Sequence, residues 1–382
     1  MGVGATQTDN RAPPVSGPRQ WAALTGIRGI AAWFVVLYHL RMTLVDTMPG
    51  WYIQMTARGY LAVDLFFILS GFVLWHTYGE RMEGIDWAGV RQFWWRRIAR
   101  IWPLHAVVLT GFVALALALA VTGRDTSSYP FADLPLHYLL MQNWGFTRVL
   151  EWNDPAWSIS CEMAAYLVFP AVALVAPWRR LSVGGLIAVG AALMAAIWLY
   201  FAIQGTRKLG FDIPQLGLMR CLLEFWTGNI LRMLWGHWHE RPGAASAAWM
   251  ALFALLVLSA ALELPETLVW PPVFAALIMA LALDDGPIAR VLGGRVLHYL
   301  GEISYSTYLV HYLLFVVFKL AFVHHIGSNG APAMGLGHLA GLVALIVLAS
   351  VVLYHGVEKP AQGWMNALPK RWRAAGRPVV AE

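Results

Sequence analysis

Charge is what this 382-residue chain has least of: Asp, Glu, Lys and Arg make up 13% of it, while 59% is apolar and the mean hydropathy is +0.59. A soluble domain runs nearer to about 25% charged, and a single core stops growing near roughly 250–300 residues. The shortage therefore excludes a soluble globular enzyme and a disordered chain. Cysteine is scarce as well. Cys161 and Cys221 both lie in apolar segments, so they form neither a disulfide framework nor a zinc ligand set. No His, Asp and Glu grouping completes one either, and no metal is expected. There is no Walker A loop, no GxGxxG after a strand and no GxSxG elbow, which removes the common nucleotide-binding and serine-hydrolase readings. Residues 1–20 contain no apolar core of the kind a signal peptide needs.

What the chain has in abundance is long hydrophobic runs. Ten stretches of about 20 mostly apolar residues fall at 24–45, 59–78, 101–122, 157–176, 183–203, 217–235, 246–263, 268–284, 303–323 and 336–356. A broken run at 131–146 is too short to cross and reads as re-entrant or interfacial. The expected fold class is all-α: a polytopic membrane helix bundle with about ten transmembrane helices, the lipid bilayer being its first partner. Residues 1–20 read as a disordered cytoplasmic tail, 21–360 as one membrane domain and 361–382 as a cytoplasmic basic tail.

The net charge of +6 is distributed unevenly. With the N-terminus inside, 17 Lys and Arg fall in cytoplasmic segments and 5 in outer loops, so both termini are expected in the cytoplasm. The basic excess is then a matter of membrane orientation, and no nucleic acid is expected. In Asp86–Trp102, apolar residues alternate with arginines at helical spacing, the pattern of an amphipathic helix in the inner interface.

Ionisable residues inside a span are costly and therefore functional candidates. Arg28 and His39 in the first run are 11 residues apart, which puts them on one helix face with a rise of roughly 16 Å between them. Asp64 enters the second run at the depth of His39 and is expected to orient it, as a carboxylate fixes a histidine tautomer. Glu162, near the outer end of the fourth run, is a second candidate catalytic carboxylate that would position an acceptor. Ser304, Tyr308 and His311 share a face of the ninth run. Arg97 and Arg100, just before the third run, suit bidentate phosphate binding. The pattern is layered, with arginines at the cytoplasmic mouth and a histidine with two carboxylates in the outer half. Intramembrane Asp, Glu and His also serve proton relays, so a proton-coupled transporter stands as the rival reading.

In combination, these motifs resemble acyltransferase family 3, the integral-membrane bacterial O-acyltransferases. The matching elements are R-x10-H at Arg28 and His39, LAVDLFFILSGF around Asp64, RxxR at Arg97 and Arg100, PAWSISCE ending at Glu162, SYSTYLVH from Ser304 to His311, and VEKP with Glu358 and Pro360. Ala62 departs from the glycine usual in the second. The resemblance runs from about residue 24 to 360. It implies a bacterial inner-membrane, multi-pass enzyme with no permanently bound cofactor. Acyl-CoA, most often acetyl-CoA, would be the co-substrate, and a glycan or glycolipid hydroxyl the acceptor. On that basis His39 is the base, with Asp64 and Glu162 assisting. Arg28, Arg97 and Arg100 hold the CoA phosphates, and Trp157, Ser158, Ser304, Tyr308 and His311 contact substrate.

Overall fold

A computed structural model of the chain describes residues 19–375 apart from 83, 176 and 177. Of the tail expected at 1–20, residues 1–18 lie outside the described residues, and Arg19 already opens the first helix. In chain order the helices are α1 (Arg19–Leu40), α2 (Gly50–Thr56), α3 (Ala62–Tyr78), α4 (Trp87–Val121), α5 (Leu134–Tyr138), α6 (Ala156–Val175), α7 (Val183–Ile203), α8 (Ile213–Trp238), α9 (Ala244–Leu262), α10 (Glu266–Leu283), α11 (Pro287–Leu292), α12 (Arg295–Glu302), α13 (Ser304–Phe322), α14 (Leu336–Leu353) and α15 (Lys359–Ala375). There is no named strand among the described residues.

Nine helical segments among the described residues are long and apolar enough to cross a membrane. The 26-residue α8 matches them in length and lies inside the bundle, but it carries Arg220, Glu224 and Arg232. It corresponds to the run expected at 217–235. Contacts at the two ends fix the helix directions. At the near end, where α1 begins, Gly29 meets Gly301, and Arg100 meets Glu358. At the far end, Tyr60 meets Glu266, and Thr47 meets Met334.

The apolar surface lies outward as well as inward. α9 buries only Leu252 and leaves Phe253 70% exposed. α14 buries only Leu342, Ile346 and Ser350. Such faces would be a liability in water, whereas lipid tails are as apolar as leucine. The interior is a continuous apolar cluster drawn from α1, α3, α4, α6, α8, α10 and α13. At its centre α3 and α8 touch backbone to backbone. A Cβ on Gly71 would lie 1.9 Å from the Phe225 carbonyl oxygen, and one on Gly228 would lie 1.9 Å from that of Ile68.

Three features differ from the sequence-based expectation. The amphipathic stretch and the third span form one 35-residue helix, α4, which runs through Pro103. Asp86 starts it by accepting from Gly89 N at 2.8 Å. At roughly 52 Å this helix exceeds the hydrocarbon thickness. Its first turns pack on α15, with Trp95 Nε1 donating to Met365 O at 2.8 Å, so they form more than a surface anchor. The residues from 359 to 375 are helical and continue α14 through a π-helical turn, Tyr354–Glu358. The segment 123–155 is a folded plug around the short α5. Leu140 and Trp152 are both buried at φ +57°, a conformation bulky side chains hold only when their surroundings enforce it.

The α3–α8 contact has a direct test. Gly228→Ala should lower the melting temperature in detergent, because overpacking costs about 1–3 kcal/mol. Gly337→Ala, with open space at that position, should leave it unchanged. An unaltered melting temperature for Gly228→Ala would mean that the two helices do not meet this closely.

Candidate active site

Two cavities lie one above the other in the bundle. The near one, about 210 Å³, has Arg28, Arg97, Arg100, Ser70, Glu162 and Ser304 in its wall. The far one, about 270 Å³, has His39, Tyr60, Asp154, Trp157, Arg220 and Tyr312. Tyr308 lines both, so it stands at the junction. Its hydroxyl meets Ser158 Oγ at 2.7 Å and donates to Pro155 O at 3.0 Å. The Phe66 ring crosses its ring edge-on at 6.0 Å.

The near cavity is cationic. Arg100 pairs with Glu358, which also accepts from Ser306 Oγ at 2.6 Å. The π-helical turn after α14 brings Glu358 to this position, and π-turns recur at functional sites. Arg97 donates through one terminal nitrogen to Tyr78 OH at 3.2 Å, while its buried Nε has no partner among the described residues. No described residue hydrogen-bonds the Arg28 guanidinium; the neighbouring charges are Arg100, Glu162 and Glu358. Guanidinium donors buried without partners are costly. A wall that presents them is built for an anion.

Glu162 lies in this cavity and not beside His39, a correction to the layered reading. α6 begins at Ala156, so Glu162 sits about 9 Å along the helix, deep enough to reach the arginine level. Its Oε1 accepts from Ser70 Oγ and Tyr166 OH, each at 2.5 Å.

Asp64 also departs from expectation. It is fully buried, and both its oxygens are held by Arg220 of α8, Nε to Oδ1 at 2.7 Å and a terminal nitrogen to Oδ2 at 2.6 Å. Arg220 donates a third bond, to Leu209 O at 2.9 Å. Asp64 therefore anchors α3 to α8 and does not orient His39. Depth along a helix was readable from the sequence, but the direction of the side chain around the axis was not. Arg220 and Glu224, four residues apart in an apolar run, carried the signal that would have found this cluster.

The partner of His39 is another histidine. His39 Nδ1 lies 3.0 Å from Val35 O and 3.3 Å from His311 Nε2, and His311 Nδ1 lies 3.2 Å from Thr307 O. Backbone carbonyls only accept, so each Nδ1 carries its hydrogen and His311 Nε2 accepts. That leaves His39 Nε2 as a lone pair, with no described partner, in the wall of the far cavity. His311 is fully buried and absent from both cavity walls. The substrate contact expected of it is thus corrected to a contact with His39. Of the remaining expected contacts, Trp157 faces the far cavity while Ser158 and Ser304 face the near one, and the Ser304 hydroxyl is engaged by Gly301 O at 2.7 Å.

The arrangement puts an arginine-lined cavity and a histidine lone pair at two levels, with one tyrosine lining both. The model of an acyltransferase domain family matches residues 21–355. The chain belongs to acyltransferase family 3. Over 94% of its length it is 31% identical to the acyltransferase MdmB of Streptomyces mycarofaciens, covering 95% of that protein. It is 26% identical, over 94% of this chain and 87% of the other, to BcsY of Komagataeibacter xylinus, named as a membrane-bound transacylase. A Staphylococcus aureus protein named as an O-acetyltransferase is 21% identical over 90% of this chain and 57% of its own length. No solved structure matches. In this membrane acyltransferase the intramembrane Asp64 is the ion-pair partner of Arg220.

Asp64→Asn should unfold at a lower temperature than the wild type, by the equivalent of about 3–5 kcal/mol, since breaking a buried pair leaves Arg220 uncompensated. Asp64→Asn combined with Arg220→Met should recover part of that loss. If Asp64→Asn kept full stability and lost only activity, the carboxylate would belong to the chemistry.

Proposed function

We propose that this acyltransferase moves an acyl group from acyl-CoA, with acetyl as the preferred group, to a hydroxyl of a cell-surface glycan or glycolipid. The observation that carries the reading is the pairing of partnerless guanidinium donors in one cavity with an unpartnered histidine nitrogen in the other. The near cavity would face the cytoplasm, with both termini on that side of a bacterial inner membrane. Arg28 and Arg97 would bind the CoA phosphates, while Arg100, held by Glu358, adds positive potential. The rise from Arg28 to His39, roughly 16 Å along α1, would be spanned by the arm of the donor passing Tyr308.

In the far cavity the acceptor hydroxyl attacks the thioester carbonyl, and His39 Nε2 takes its proton. The tetrahedral intermediate collapses and the carbon–sulfur bond breaks. The CoA thiolate leaves with the proton returned by His39, and the acceptor leaves as an ester. The hydrogen bonds of His39 Nδ1 to Val35 O and His311 Nε2 keep the reactive lone pair on Nε2 and stabilise the ring when it is protonated.

The two sites should separate kinetically. His39→Gln is expected to reduce kcat by about 10²–10⁴-fold, the usual worth of a general base, and excess donor should not restore it. Arg28→Ala with Arg97→Ala should raise the acyl-CoA KM at least tenfold, because charge-assisted bonds are worth about 1.5–3 kcal/mol each, and saturating donor should recover the rate. Arg100 is left intact, since its removal would strand Glu358. Steady-state transfer in liposomes measures both. Rescue of His39→Gln by donor would move the base elsewhere. His311→Gln tests the second histidine: kcat should fall roughly tenfold, the equivalent of one hydrogen bond, with both KM values unchanged.

A further inference from the structure

With Asp64 engaged by Arg220 and Glu162 in the other cavity, one carboxylate remains in the wall that contains His39. It is Asp154, in the turn that leads from the plug into α6. The backbone on both sides of it is held tightly. Asn153 Nδ2 donates to Leu309 O at 3.1 Å, Tyr308 OH donates to Pro155 O, and the buried Trp152 Nε1 donates to Pro130 O at 3.1 Å. The carboxylate itself has no hydrogen-bond or ion-pair partner among the described residues. Burial without a compensating donor pushes its carboxyl up to about 6.

The other charged and titratable groups of this cavity do not serve it. Arg220 is bound to Asp64. Arg41 lies over the Tyr38 ring, 3.9 Å from its centroid, and donates to the Tyr38 carbonyl. Tyr60 donates to Glu266. His39 faces His311, and Tyr308 is engaged at Pro155 and Ser158. Tyr312 packs edge-on against His39 at 5.3 Å. A half-buried carboxylate that opens onto a cavity and has no donor from the protein is free to accept one from a ligand. Beside it, Tyr312, Tyr38 and Trp157 offer aromatic surface. An acceptor-only group among aromatic rings suits a carbohydrate, whose hydroxyls donate and whose C–H faces are apolar.

We propose that Asp154 is the acceptor-binding carboxylate, taking a hydrogen bond from one hydroxyl of an uncharged sugar and thereby holding another hydroxyl against His39 Nε2. This rests on the reading of His39 as the base. The negative charge also selects against anionic sugars, since an acceptor carboxylate would face Asp154 across a small cavity.

The test uses the full chain in nanodiscs, with acetyl-CoA as donor and either octyl glucoside or octyl glucuronide as acceptor, both below micelle-forming concentrations. The acetylated product is quantified by mass spectrometry. The wild type should acetylate the glucoside at least tenfold more efficiently than the glucuronide. Asp154→Asn should raise the glucoside KM about tenfold, leave the acetyl-CoA KM unchanged and narrow that preference. Asp154→Glu, which keeps the charge, should retain the preference and supplies the same readout if the Asn variant does not fold. The wild-type glucoside KM should also rise as pH falls through about 6, and the Asp154→Asn value should not. An unchanged glucoside KM in Asp154→Asn, equal use of both sugars, or use of neither by an enzyme that still consumes acetyl-CoA would overturn the proposal. If His39→Gln kept full transfer while Asp154→Asn still raised the glucoside KM, the base assignment would fail and the acceptor site would stand. Loss of transfer in His39→Gln with no effect at Asp154 would mean the reverse.

Discussion

A carboxylate and a guanidinium that meet deep in an apolar bundle govern how the rest of this protein is arranged. Asp64 and Arg220 make a two-point contact with almost no exposed surface. Neither charge can remain there alone, because the interior offers no water to solvate it. The pair therefore fixes α3 against α8 in rotation as well as in depth. The glycine contacts at Gly71 and Gly228 let the two backbones come close enough for the pair to form. One consequence reaches the site itself: Asp64 is not free to serve a histidine, and His39 is held instead by a backbone carbonyl and by His311.

The two cavities then divide the chemistry by charge. The near cavity gathers three arginines, with Glu358 binding one of them and Glu162 placed among them. The far cavity holds aromatic rings, a histidine and a carboxylate, with Arg41 engaged at Tyr38 and Arg220 bound to Asp64. Tyr308 lines both cavities and the Phe66 ring crosses it edge-on, so these two aromatic rings stand at the junction.

Much of the fold was legible in the sequence, because lipid demands long uninterrupted apolar runs and tolerates little else. The shared face of Arg28 and His39 followed from their spacing, and each residue does line a cavity, Arg28 the near one and His39 the far one. Rotation about the helix axis was less legible, since it depends on which helix packs where. Asp64 therefore pointed to α8 rather than to α1, and Glu162 reached the arginine level because α6 starts only six residues before it. The continuity of α4 through Pro103 and the π-helical turn that aims Glu358 are set by tertiary packing, which overrides local signals. Asp154 escaped notice because it precedes a span, where a carboxylate looks solvated. The folded plug, which half-buries it, has no hydropathy signature.

The central claim is that donor phosphates and reactive carbonyl occupy different cavities joined past Tyr308. A structure of the protein with a non-hydrolysable acetyl-CoA analogue, in which a methylene replaces the thioester sulfur, examines this directly. The phosphates should lie against Arg28 and Arg97, the arm should pass Tyr308, and the carbonyl should lie within hydrogen-bond reach of the far cavity, beside His39 Nε2. Phosphates bound beside His39, or an analogue held wholly within the arginine cavity with its carbonyl next to Glu162, would contradict it.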